Sequence, residues 1–109
     1  LLAQLDRAID AGQAQFPMSG GEQLRDYLPV AEVARRLALL LAQPQLQGVV
    51  NVCSGRPVAV RTLVEQQLAR RGARIGLQLG HYPYPAHEPM AFWGDGRRLA
   101  SVDPLENPA

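Results

Sequence analysis

Residues 48–55 read Gly48-Val49-Val50-Asn51-Val52-Cys53-Ser54-Gly55. The run Val49 to Cys53 is too short for a helix and too apolar for a strand with one wet face. It predicts a buried strand of the kind found in parallel sheets. A helical pattern lies on each side of it. Before it, Ala31 to Gln43 carries Val33, Leu37, Leu40 and Leu41 on one stripe and stops at Pro44. After it come the turn Ser54-Gly55-Arg56-Pro57 and a brief alternation at Val58 and Val60. A second helix then runs from Thr62 to Arg71, with Leu63, Val64, Gln67 and Leu68 on one side and Gly72 closing it. A strand between two helices indicates an α/β protein with short strands alternating with helices.

The flanks agree. Leu1 to Ala11 places Leu1, Leu2, Leu5, Ala8 and Ile9 on one helical face, and Gly12 follows where a C-terminal cap belongs. Ala14 to Ser19 is a weak strand, Ser19-Gly20-Gly21 a turn, and Gln23 to Val30 a short strand limited by Pro29. Ile75, Leu77 and Leu79 have strict period two and predict a strand with one polar face. His81 to Asp95 is rich in proline and aromatic residues and reads as a long loop. Arg97 to Ser101 is expected to form a short helix.

Composition narrows the function. Charged residues are 19% of the 109 and the net charge is +1, so no bulk charge drives nucleic-acid binding. All 11 basic residues are Arg. The absence of Lys excludes a Walker lysine, a Schiff-base lysine and a Tyr-x-x-x-Lys pair within these residues. The single Cys53 excludes an internal disulfide and a zinc site of several thiolates, and fits a reducing, cytoplasmic setting. The longest apolar run, Leu37–Ala42, is far short of a membrane span, and the N-terminus lacks the charged and apolar regions of a signal peptide. The chain opens on Leu1-Leu2, in mid-pattern, so a piece of a longer protein is expected.

Three segments in register carry a family resemblance: Leu24-Arg25-Asp26-Tyr27-Leu28-Pro29-Val30-Ala31-Glu32-Val33-Ala34, Gly48 to Gly55, and Pro57-Val58-Ala59-Val60-Arg61-Thr62-Leu63-Val64. They resemble the C-terminal half of the extended short-chain dehydrogenases/reductases, the NAD(P)-dependent nucleotide-sugar epimerases, dehydratases and reductases. The Asn-Val-Cys-Ser-Gly wording is most similar to the branch that makes and reduces 4-keto-6-deoxy nucleotide sugars. Trp93-Gly94-Asp95 with Arg97-Arg98-Leu99 resembles the family's closing segment. The resemblance implies the substrate-binding C-terminal portion of a Rossmann-type enzyme over residues 1–102, with 103–109 as a tail. It implies NAD(P) in the parent enzyme, bound elsewhere, and no cofactor or turnover for this piece alone. The parent is expected to be a homodimer. The piece itself, with an apolar strand left uncovered, is expected to self-associate or domain-swap.

The departures from the family are local. Ala31 stands where a helix-capping Asp is expected, and Ala59 and Thr62 replace a capping box, at about 1 kcal/mol per lost cap. The family's Arg after the Ile75–Leu79 strand is missing from His81-Tyr82-Pro83-Tyr84-Pro85.

Arg25 is the leading site residue. Its guanidinium fork matches phosphate oxygens, and the resemblance implies contact with the diphosphate of a nucleotide sugar. A structural pair with Asp26 or another carboxylate is the competing reading. Phe16 and Met18 resemble the segment that lies against the nucleotide base, with core packing as the competing reading. Cys53, at the end of an apolar run, behaves as a small hydrophobe. His81, His87 and Glu88 lack the spacing of a metal site, and the arginine pairs read as solvated helix faces. Against the enzyme reading stands a stand-alone interaction or nucleotide-binding module. The expected partner is a nucleotide-diphosphate sugar, and neither nucleic acid nor membrane.

Overall fold

Leu2–Asp10 forms α1, and its apolar residues fall on one side, so Leu5 and Ala8 are buried. Gly12 follows with φ 68°, the left-handed turn the sequence places there. The structure is a computed structural model and describes residues 1–106. β1 (Gln15–Pro17) pairs in parallel with β4 (Gly76–Gln78), in the register Phe16 opposite Leu77. β2 (Leu24–Arg25) pairs with β3 (Val58–Ala59). α2 spans Val30–Leu41, α3 Val60–Arg71 and α4 Arg97–Ala100. The expected α/β class is therefore present, with very short strands.

The chain divides into two units. The first comprises Leu1–Leu24 and Val58–Ala91. Its core joins Leu5 and Ala8 of α1, Phe16 and Met18 around β1, Val64 of α3 and Ile75 before β4. Leu5 and Val64 are fully buried, each contributing about 1.5–3 kcal/mol. Ion pairs from Arg71 to Asp6 (3.2 Å) and Asp10 (2.5 Å), and a Gln67–Asp6 hydrogen bond, fasten α3 to α1. Gly72 ends α3 at φ 59°, as its position predicts. Ala59 is the N-cap residue of α3 and makes no side-chain cap bond, matching the lost capping box.

The second unit comprises Arg25–Pro57 and the chain from Phe92 onward. Polar links hold it together. Arg35 donates to both oxygens of the fully buried Asp103 at 3.1 and 2.7 Å, and to Glu32 at 2.6 Å. Arg36 donates to Glu32 at 2.9 Å and to the Cys53 carbonyl at 2.6 Å. Leu99 of α4 is its one buried apolar side chain among the described residues. The expected tail opens on the buried Asp103. Its last residues, 107–109, lie outside the described residues.

Three local expectations are corrected. Residues 48–53 form no strand, and Val49 is 83% exposed. Carbonyls that a ladder would use are taken by guanidinium groups instead: Arg98 donates to Gln47 and Val49, and Arg36 to Cys53. Among the described residues no strand lies beside this segment, and apolar side chains without a hydrogen-bonded neighbour do not make a sheet. The Gln23–Val30 strand shrinks to Leu24–Arg25, because Asp26 turns its carboxylate to other loops. Finally, the N-cap of α2 is Pro29, so Ala31 lies inside the helix and no cap is lost there.

Candidate functional site

Arg25 ends β2 and its half-buried guanidinium lies over the Phe92 ring, 4.3 Å from the centroid. At this distance the cation is attracted to the face of the ring. Asp26, the next residue, does different work. Its Oδ1 accepts from the Ser54 amide (2.8 Å) and hydroxyl (2.6 Å), and its Oδ2 from the amides of Gly55 (3.0 Å) and Gly94 (3.2 Å). Partial burial alone would push this carboxyl up. The Ser54 hydroxyl and the three amides outweigh it and hold it below the usual Asp range.

An open groove of about 410 Å³ lies in the same unit, walled by Arg36, Cys53, Trp93, Asp95 and Glu106. Cys53 is no nucleophile there. Burial, then the nearby negative charge of Asp26, push its thiol up, so it stays protonated at neutral pH. The thiol packs so closely on the 94–96 turn that a Cβ at Gly94 would lie 2.6 Å from the Cys53 Cβ.

Phe16 and Met18 sit in the first unit, only 6% and 3% exposed. What remains accessible of them faces open grooves. Phe16 borders one of about 530 Å³ with Gln4, Arg7 and Tyr82, and both line another of about 250 Å³ with Gln23, Pro83 and Pro85. The structure thus brings Phe16 and Met18 together and puts Arg25 in the other unit. His81 packs edge-on against Tyr82, ring centroids 4.6 Å apart. No group of three potential metal ligands occurs among the described residues, and no helix there is long and apolar enough to cross a membrane.

No protein-family profile matches the chain. Over 94 residues it is 28% identical to a dTDP-6-deoxy-L-talose 4-dehydrogenase (NAD(+)) from Aggregatibacter actinomycetemcomitans, covering 86% of this chain and 34% of that protein. Its fold is similar to that of RMD from Pseudomonas aeruginosa, solved in complex with NADPH, with a TM-score of 0.72 and 24% identity over 91% of this chain and 33% of the other. Both findings agree with the resemblance to the extended short-chain dehydrogenases/reductases carried by the sequence motifs. The chain spans about a third of the length of these relatives.

Against this likeness, the role of Asp26 becomes informative. Its four hydrogen bonds join the Arg25-Asp26 segment to Ser54-Gly55 of the Asn-Val-Cys-Ser-Gly segment and to Gly94 of the Trp-Gly-Asp segment. Segments far apart in sequence that carry the likeness meet on one carboxylate. Sequence reasoning weighed Asp26 only as a partner for Arg25. The signal for its real role was a short acid beside two glycine-containing loops. Phe92 as the stacking surface for Arg25 had no signal in the sequence.

Proposed function

We propose that this chain provides nucleotide-sugar binding in an NAD(P)-dependent nucleotide-sugar dehydrogenase or reductase. Arg25 contacts the diphosphate, and Phe16 and Met18 lie against the base. The supporting observation is the placement of Arg25: a half-buried residue whose guanidinium lies over the Phe92 ring, 4.3 Å from its centroid. A guanidinium fork suits a diphosphate, because its N–H groups match phosphate oxygens in bidentate pairs. The similarity to a dTDP-6-deoxy-L-talose 4-dehydrogenase supports the same class of ligand.

NAD(P) would supply the hydride chemistry of such an enzyme. The 109 residues contain no Lys and no G-x-G-x-x-G turn, so they do not fit that cofactor and no hydride step is assigned to them. The role proposed is grip and orientation. Calorimetric titration of the chain with dTDP, GDP and UDP and the corresponding hexose derivatives tests it. Saturable binding of at least one diphosphate, lost on Arg25→Ala, is expected. Heat changes no larger than those of a nucleoside would overturn it.

A further inference from the structure

We infer that the Tyr84 phenol is a positioning residue, a latch that holds the 81–91 segment as a strap along 18–24 and so shapes the groove beside Met18. The two segments run alongside each other and are tied at both ends by backbone. The amides of His81 and Tyr82 donate to the Met18 carbonyl at 3.0 and 3.4 Å, and the Leu24 amide donates to the Met90 carbonyl at 2.8 Å.

Between these ends the strap cannot form a regular backbone ladder. Pro83 and Pro85 have no N–H to donate. The Tyr84 side chain supplies a link there: the Glu22 amide donates to the Tyr84 Oη at 3.2 Å. Tyr84 is half-buried while every other residue of 81–90 is exposed. The facing turn is shaped to admit it. A Cβ at Gly20 would collide with the Tyr84 hydroxyl, and one at Gly21 would lie 2.6 Å from the Cβ of Arg61 on the other side. Gly20 therefore leaves the opening that the phenol fills.

The groove of about 250 Å³ lies against this strap and is lined by Pro83 and Pro85 together with Phe16 and Met18. Its width follows from where the strap is held. Rings and prolines beside an aromatic and a thioether suit a flat heteroaromatic ligand. This last point rests on the nucleotide reading above; the latch itself does not.

The test uses the full chain with Tyr84→Phe, Gly20→Ala and the double variant. Amide hydrogen exchange at Glu22 reads the latch, and dTDP affinity reads the groove. Tyr84→Phe should speed Glu22 exchange by about threefold to tenfold, the usual worth of one hydrogen bond. It should weaken dTDP by a similar factor, with the melting temperature little changed. Gly20→Ala should do the same by wedging the hydroxyl out. The double variant should lose less than the two single changes added together, because the closest clashing atom is gone and only the ring Cζ, at 3.1 Å, still crowds the new Cβ, and that non-additivity would not arise from two independent structural defects. Unchanged Glu22 exchange in Tyr84→Phe, or additive losses in the double variant, would overturn the latch. If wild type binds no nucleotide, the nucleotide reading fails, and the exchange rates alone still decide the latch.

Discussion

The Arg25 guanidinium lies face-on to the Phe92 ring, 4.3 Å from its centroid. These residues are adjacent to the points where the chain enters the second unit, at Arg25 and again at Phe92. The contact therefore closes that unit at the candidate phosphate-binding side chain.

Removing the fork should cost affinity more than stability. Arg25→Ala is expected to weaken diphosphate binding by about 1.5–3 kcal/mol, roughly tenfold to over a hundredfold. Arg25→Lys should recover only part of that, since it restores charge without the bidentate geometry. Calorimetry beside thermal melts checks this. Loss of melting temperature with intact affinity would make Arg25 a structural residue.

Acid should loosen the second unit. Hydrogen bonds from Arg35, then Arg36, hold the Glu32 carboxyl at about 2, against an ordinary value of 4.5. A depressed carboxyl stabilises the folded state above its unfolded value, and that contribution fades as pH falls from about 4.5 toward 2. Asp103, lowered chiefly by Arg35, acts in the same direction. Urea unfolding followed across this range should show stability falling with pH, and Glu32→Gln should flatten part of the slope. An unchanged slope in Glu32→Gln would remove Glu32 from this acid response.

Gly94→Ala should destabilise through overpacking, by about 1–3 kcal/mol. The added Cβ meets the Cys53 Cβ at 2.6 Å, whereas one at Gly96 meets the Cys53 Sγ at 3.3 Å. Gly96→Ala is therefore the milder change, and paired melting curves should rank them in that order.

Val49→Thr distinguishes the exposed segment from a buried strand. At 83% exposure the change should stay within about 0.5 kcal/mol. Burial of the new hydroxyl without a partner would instead cost about 1–3 kcal/mol. Denaturant midpoints for the two proteins decide it.

Much of the fold is written in local pattern. The face of α1, the glycine after it and Gly72 at the end of α3 all stand where spacing puts them, because helix periodicity and a left-handed cap are properties of a few neighbouring residues. The candidate site is legible only in part. Arg25 stands out by its residue type and motif, but the ring beneath it comes from Phe92, far along the chain.

The sequence by itself determined the helices, the glycine turns that close α1 and α3, the α/β class and the absence of lysine chemistry from these residues. Tertiary structure decided the rest. Val49 to Cys53 has the composition of a strand, yet a strand exists only where another backbone supplies its hydrogen bonds, and here Arg98 and Arg36 take carbonyls of this stretch. Asp26 is one acid among ten acidic residues until folding brings Ser54, Gly55 and Gly94 to it. Hydrogen bonds and stacking act over a few ångströms of space, and separation along the chain carries no record of which distant groups will be brought within that reach.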